Sequence, residues 1–287
     1  MSSADRSAWH GAVRREWDGR ALAGGVILGT VVLAAALAAL QSPHGPAMHN
    51  VVATRFLAPG STDVNGAFHL LGTDRLGRDV WSRLLYGARV SLAVGVLTMV
   101  LSLVLGVSIG VTAALSAPAV SSLLLGVTDF FLGLPRVVLL LLLAALWQPG
   151  LVQVVVVLGL TGWMPIARLV YAEARSQLGR PYVQGAFALG AGRWRVAWRH
   201  MVPHAAPPVL AAATLGIGSA ITLEAGLSFL GLGVQPPAAS WGSLISSGRD
   251  SVVSAPWVGL APGVALVLVV VACTLLADAL QERGLAA

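Results

Sequence analysis

Long runs of apolar residues alternate with short polar segments along this chain of 287 residues. A bilayer core about 30 Å thick needs about 20 apolar residues in helical form, and the runs approach or exceed that length. The stretch from about 120 to 170 is too long for one crossing, and the turn signal at 147–150, Trp-Gln-Pro-Gly, divides it in two. The pattern predicts six transmembrane helices, near residues 21–41, 90–115, 120–147, 150–170, 205–223 and 258–280.

Composition agrees with an all-α polytopic membrane protein. Hydrophobic residues make up 56% of the chain and charged residues only 10%, with a mean hydropathy of +0.81, whereas a soluble domain carries about 25% charged residues. The net charge of +6 comes from arginines in short loops, where positive charge sets membrane orientation, so we expect no nucleic-acid partner. The single cysteine, Cys273, cannot form an intrachain disulfide and is expected to pack between helices.

The arginines predict that both termini are cytoplasmic. With the N-terminus inside, eleven arginines fall in inner segments and six in outer ones, the bias that cytoplasmic loops show. Arg83 and Arg89 do not fit this bias, because they crowd the outer start of the second helix. The residues Val80, Trp81, Leu84, Leu85 and Ala88 share one helical face, which predicts an interfacial helix on the outer membrane surface.

The predicted organisation follows from these elements. A cytoplasmic segment (1–20) precedes the first helix (21–41), and an external segment with the interfacial helix (42–89) leads to a transmembrane domain (90–287). That domain has a long inner loop (171–204) and a long external loop (224–257). Glycines four apart, Gly25 with Gly29 and Gly106 with Gly110, predict close helix contacts.

The inner loop contains a helix-prone stretch at about 182–200 whose small residues leave one face with little bulk. Pro181 suits the start of this helix, and Pro207 and Pro208 suit the first turn of the next span. A face of this kind can enter a groove on a partner, with the tryptophans and arginines as anchors. The alternative, an amphipathic helix lying on anionic headgroups, is equally compatible with the residues themselves.

The same loop resembles the cytoplasmic loop of the permeases of binding-protein-dependent ABC transporters. That loop has a Glu-Ala-Ala triplet, a later Gly, and then a hydrophobic residue followed by Pro. This chain matches at Ala186, Gly190 and Pro203 but has Gln184 in place of the Glu and Gly185 where Ala is usual. The resemblance implies that ATPase coupling involves Gln184, Gly185, Ala186, Leu189, Gly190, Arg193, Trp194 and Pro203.

Four further stretches are similar to the dipeptide and oligopeptide branch of this family, which a nickel branch resembles. They are HLLGTDRLGRDVWSRLLYGARVSL at 69–92, VTDFFLGLP at 127–135, EAGLSFLGLGVQPPAASWGSLISSGRD at 224–250 and LLADALQE at 275–282. The resemblance implies a type I ABC importer permease fold with six transmembrane helices and a cytoplasmic coupling helix. It also implies a non-catalytic subunit in the bacterial inner membrane that forms half of the translocation pathway for di- or oligopeptides.

Charged and irregular residues at membrane depth are candidates for the pathway or its gate. Asp129 and Arg136 fall in one predicted helix, two turns apart, and Pro135 between them should kink it. Glu224 and Trp241 belong to a glycine-rich external stretch that could cap the outer mouth of the pathway. The competing interpretation is structural. Asp129 and Arg136 would then make polar contacts with a neighbouring helix, and Glu224 and Trp241 would belong to an external loop without a gating role.

The resemblance also implies the partners. These are a second homologous permease, two ATP-binding subunits that hold ATP and Mg²⁺, and an extracytoplasmic substrate-binding protein; this chain itself is expected to hold no cofactor and no metal. Import of nickel or another chelated metal is the nearest alternative. A stand-alone channel or secondary transporter would need more intramembrane acidic residues, and a membrane-embedded enzyme would need a catalytic cluster that the sequence does not assemble.

Overall fold

The computed structural model describes residues 3–38 and 54–286, and within them the side chains of 19–38, 54–199 and 201–282. Almost every element is helical, apart from a hairpin of two short antiparallel strands, β1 (Ser61–Thr62) and β2 (Phe68–His69). The helices are α1 (Ser3–Ala36), α2 (Val80–Leu115), α3 (Pro118–Gly133), α4 (Arg136–Ala145), α5 (Leu151–Leu160), α6 (Trp163–Leu178), α7 (Pro181–Ala188), α8 (Arg193–Val196), α9 (Val202–Phe229), α10 (Trp241–Gly248) and α11 (Trp257–Ala286). A π-helical turn, Ala197–Met201, joins α8 to α9.

The prediction of six membrane helices is confirmed when one bent pair counts as a single span. Five helical segments are long and apolar enough to cross a bilayer, and α3 with α4 forms a further segment bent by 89°. The bend lies at Leu134 and Pro135, because the residue before a proline is driven out of helical geometry and Leu134 has an extended ψ of 138°. Pro135 therefore breaks the predicted helix 120–147, as well as bending it.

Two helix starts differ from the sequence prediction. The expected interfacial helix at 80–89 is the first part of the 36-residue α2. Asp79 caps this helix, with the Ser82 N–H donating to Asp79 Oδ2 at 2.7 Å, and the face with Val80 and Leu85 is buried in the protein. At the N-terminus, α1 begins at Ser3, so the segment 1–20 continues into the first membrane helix; residues 39–53, which include the end of that span and the start of the external segment, lie outside the described residues.

The fifth span also differs at both ends. Pro207 and Pro208 were expected in the first turn of this span, but they lie inside α9. Pro203 occupies the first turn instead. At the outer end, α9 continues through Glu224 to Phe229 before Gly231 ends it with a φ of 80°. The predicted external loop 224–257 is therefore helical at its start and contains α10 in its middle.

Glycines set the closest helix contacts. A Cβ on Gly106 would lie 2.7 Å from Ile166 Cβ, and one on Gly110 would lie 2.6 Å from the carbonyl of Ala167, so α2 and α6 pack backbone to backbone as predicted. Gly25 and Gly29 have nothing within 4 Å of such an atom. The predicted contact of that pair is wrong: α1 meets α11 through Gly24 instead.

One of the two arginines that do not fit the charge bias, Arg89, has a structural role. Arg89 donates from Nε to the Ala35 carbonyl at 2.5 Å and from Nη2 to the Ala36 carbonyl at 2.8 Å. These carbonyls belong to the last turn of α1, where the carbonyls of a helix need partners from outside it. A cation at this point also complements the negative end of the helix dipole, so Arg89 ties α1 to α2.

The segment 54–79, which precedes α2, is folded onto the end of the bundle where α11 begins. Asp74 accepts from the N–H groups of Leu76 and Arg78 and from the Arg78 Nε at 2.7 Å. In the hairpin, the Ala67 N–H donates to Asp63 and holds the pKa of that carboxyl below its usual value. These hydrogen bonds hold the segment in one conformation, and the Asp63 carboxylate on it is charged at neutral pH.

Candidate coupling site and membrane pathway

The segment between α6 and α9 lies outside the candidate membrane spans and exposes several large apolar side chains. Leu189 is 91% exposed, and Trp194 and Trp198 are each 56% exposed. We call six exposed residues of this segment the α7–α8 surface: Gln184, Gly185, Leu189, Gly190, Trp194 and Trp198. Exposed apolar groups gathered in one segment mark a contact site for a protein or a membrane.

Gly190 shapes this surface by ending α7. Its φ is 81°, the left-handed region that glycine adopts without steric cost. The Ala191 N–H donates to the Ala186 carbonyl at 3.0 Å, and the Gly190 N–H donates to the Phe187 carbonyl at 2.9 Å, the two bonds of a Schellman cap. The cap leaves Leu189 at the tip of the turn.

The predicted helix over 182–200 is therefore two short helices. Pro181 begins α7 as expected, but the helix stops at Ala188 and α8 starts only at Arg193. The low-bulk face is open: Cβ atoms on Gly185, Gly190 and Gly192 would meet nothing within 4 Å. These three glycines thus leave free space on the outside of the segment, whereas Ala186 and Ala191 pack against the core.

The opposite face of the segment is anchored in the core. Val183, Val196 and Met201 are fully buried in one cluster with residues of α2, α6 and α9. Arg193 also donates from Nη1 to the Leu115 carbonyl at 3.2 Å, at the end of α2. A force on the α7–α8 surface is consequently transmitted to three membrane helices.

The remaining residues predicted for coupling belong to this same segment. Gln184 is exposed on α7, Ala186 is half-buried and accepts a bond of the cap, and Pro203 is exposed in the first turn of α9. Their role in ATPase coupling stays a prediction, because no partner chain is present. Sequence reasoning missed the buried anchors such as Val183, although a valine opposite a glycine face is the amphipathic signal that would have indicated them.

The two charges predicted within one helix are separated by the bend. Asp129, near the end of α3, forms a two-pronged ion pair with Arg168 of α6, with Arg168 Nε 2.7 Å from Asp129 Oδ1. Sequence reasoning missed Arg168 as the partner, although opposite charges in two predicted spans were the available signal. Arg136 begins α4 and points to a separate cavity.

Glu224 and Trp241 lie inside the protein, where they connect three helices. Glu224 is fully buried, and its Oε1 accepts from Ser228 Oγ at 2.6 Å and from Ser240 Oγ at 2.7 Å. Trp241 is 1% exposed, and its Nε1 donates to the Leu84 carbonyl at 3.1 Å. Within this chain the two residues hold α10 against α9 and α2, and a gating role for either stays a prediction.

A match over most of the membrane domain shows which family the chain belongs to. Residues 102–283, which run from the middle of α2 almost to the end of the chain, match the family described as "Binding-protein-dependent transport system inner membrane component". The chain belongs to this family. It is therefore a membrane component of a transport system and is called the permease below.

Curated relatives extend the similarity beyond the family match. The permease is 36% identical over 263 residues to the di/tripeptide transport system permease protein DppC of Pseudomonas aeruginosa, covering 91% of this chain and 86% of that protein. It is 38% identical over 259 residues to a putative peptide transport system permease protein of Brucella suis, covering 90% and 85%. The resemblance inferred from the sequence motifs is confirmed.

A solved structure supports the fold independently. The MetNI methionine ABC transporter, in an inward-facing conformation, has a chain that superposes on the permease with a TM-score of 0.58 at 20% identity. The match covers 70% of this chain and 95% of that chain. The predicted type I importer permease fold is confirmed by this match.

Proposed function

We propose that the permease is the transmembrane subunit of an ATP-driven importer of di- and oligopeptides and forms half of its translocation pathway. Two relatives named for peptide transport, each aligned over about nine-tenths of the chain, support this cargo. The observation that carries the mechanism is the α7–α8 surface, which is open on the outside and anchored to three membrane helices. Through it, ATP-binding subunits would drive the exchange between two states of the pathway.

The peptide cargo is favoured over nickel by charge as well as by the relatives' names. Arg136 lies within the membrane region and forms no ion pair among the described residues. A bare divalent cation would be repelled by this guanidinium, whereas a peptide always carries a carboxylate that it attracts. The secondary-transporter alternative is weakened by Asp129, because its carboxylate is bound to Arg168.

The proposed partners follow from the family's dependence on a binding protein. Two ATP-binding subunits would hold ATP and Mg²⁺; one docks on the α7–α8 surface of this chain, and the other docks on a second homologous permease that completes the pathway. The binding protein docks outside, near the folded segment 54–79 and α10. We infer cytoplasmic termini, because the α7–α8 surface would then face the ATPases, and we infer that this chain catalyses no reaction itself.

The test is purification of the intact assembly in mild detergent, followed by reconstitution into vesicles. We expect two ATPases and a second six-helix subunit to co-purify, and we expect ATP-dependent uptake of labelled dialanine when the binding protein is added outside. Vesicles with a Walker-motif variant of the ATPase are the matched control. Uptake of Ni²⁺ without uptake of any peptide would overturn the cargo, and absence of ATPases would overturn the coupling role.

A further inference from the structure

A cavity of about 390 Å³ opens between α4, α9 and α11. This volume lies within the range of about 300–1,000 Å³ that is usual for small-molecule sites. Most of the wall is apolar, with Leu215, Leu223 and Val270 among its residues, and the polar side chains are few. A largely apolar cavity with a small number of polar groups is the usual form of a ligand site.

The cavity lies near the middle of two membrane helices, α9 and α11. Gly218 and Ser219 line it from the middle of the 28-residue α9, and Cys273 and Thr274 line it from the middle of the 30-residue α11. Arg136 reaches it from the bend between α3 and α4. The first residue of α4 therefore places a cation beside the middle of α9 and α11.

Arg136 carries the dominant charge of the cavity. No acidic residue lines the cavity, and within the described part of the chain Arg136 has neither an ion pair nor a hydrogen bond. An arginine at membrane depth is costly to insert. Such a residue faces water or a ligand, and a planar guanidinium matches a carboxylate through two parallel hydrogen bonds.

Hydroxyl groups supply the other polar contacts. Thr222 donates to the Gly218 carbonyl at 2.9 Å, and Thr274 donates to the Val270 carbonyl at 3.0 Å. Their donors are thus used within the helices, and their oxygen lone pairs remain as acceptors for N–H groups. The cavity presents one cation for an anionic group and neutral acceptors for amide or ammonium groups.

We propose that this cavity is a transient site for peptide in the pathway, with Arg136 binding the C-terminal carboxylate of the cargo. The proposal rests on the proposed function. Every linear peptide ends in that carboxylate, so the contact is independent of peptide sequence, and the apolar wall gives side chains of different size a surface without specific partners. Thr222 and Thr274 accept from the amide or terminal ammonium groups of the bound peptide.

The experiment measures uptake of dialanine and of its C-terminal amide into vesicles that contain the complete importer and its binding protein. The ratio of the two uptake rates is compared between wild type and Arg136→Gln. Because the binding protein is the same in both, its own preference for the carboxylate cancels. We expect the ratio of acid to amide to fall about tenfold, which corresponds to about 1.4 kcal/mol.

Two further variants complete the design. Arg136→Lys keeps the charge but loses the two-pronged geometry, so we expect a ratio of acid to amide uptake between those of wild type and Arg136→Gln. If Arg136→Gln does not assemble, the ratio measured for Arg136→Lys tests the proposal. Arg175→Gln removes an exposed arginine from the last turn of α6 and should leave the ratio unchanged. A wild-type ratio in both Arg136 variants would overturn the carboxylate site but leave the proposed function intact, whereas wild-type vesicles that import neither peptide would overturn the proposed function.

Discussion

Replacement of Gly190 tests whether the α7–α8 surface receives an ATPase. Any L-residue at this position must adopt a φ near 81°, which costs about 1–2 kcal/mol for a residue with a Cβ. Such a cost lowers the population of the capped turn by a factor of about 5–30. Within the chain, a Cβ at Gly190 meets nothing within 4 Å, so neither a small nor a large side chain should prevent membrane insertion.

Two substitutions at this position separate backbone strain from bulk. Gly190→Ala and Gly190→Trp share the conformational cost, but only the tryptophan fills the open space where a partner would dock. Gly185→Ala is the matched control, because Gly185 lies inside α7 with equally open space. There an alanine favours the helix by about 0.5–1 kcal/mol.

The assay is peptide-stimulated ATP hydrolysis by the complete importer in vesicles. We expect full stimulation for Gly185→Ala, reduced stimulation for Gly190→Ala and none for Gly190→Trp, with similar amounts of permease in the membrane for all three. Equal stimulation in the two Gly190 variants would refute the docking role, because it would mean that bulk on this surface meets no partner.

Three other predictions concern the packing, the motif and the topology. Gly110→Leu should destabilise the permease by about 1–3 kcal/mol through overpacking against α6, seen as a lower thermal unfolding temperature, whereas Gly25→Leu, with open space around it, should leave that temperature unchanged; equal effects would contradict the glycine contact. Gln184→Glu should keep or raise stimulated ATP hydrolysis, because the side chain is exposed and regains the family's usual residue, and a severe loss would contradict the assigned role of α7. Tags at either terminus should resist labelling from outside intact cells, and external labelling of the N-terminus would contradict the proposed orientation.

The membrane helices could be predicted from sequence because the bilayer demands about 20 apolar residues for each crossing. Pro135 also predicted a distortion, because proline has no backbone N–H to donate to the carbonyl of the preceding helical turn. The extent of the bend could not be read from the sequence, because one proline is compatible with a mild kink or with a full break. In this structure Leu134 has an extended ψ of 138°, so the outcome is a full break.

Helix ends and pair partners were harder to predict, because they depend on contacts distant in sequence. Arg89 looked like an exception to the charge bias until the end of α1 was placed beside it. Asp129 was expected to find a structural or functional partner, but the choice of Arg168 requires the packing of α3 on α6. Gly25 and Gly29 fitted the same spacing rule as Gly106 and Gly110, yet only the second pair faces another helix.

The three regions singled out for function are joined by one helix. The N-terminal end of α9 packs with Val183 and Val196 beneath the α7–α8 surface. Its middle carries Ser219 and Thr222 of the cavity, and its C-terminal part holds α10 through Glu224. At 28 residues and about 1.5 Å per residue, this helix is about 42 Å long.

A closely packed interior changes between discrete arrangements and resists continuous bending. A displacement of the α7–α8 surface should therefore move the cavity wall and the outer segment in the same transition. Ligand binding at the cavity must, by linkage, then bias ATPase docking by the same factor that docking biases ligand affinity. On this reasoning, Arg136→Gln should weaken the stimulation of ATP hydrolysis by dialanine more than it changes the basal rate of hydrolysis. Equal reductions of the stimulated and basal rates would show that the cavity is not coupled to the α7–α8 surface.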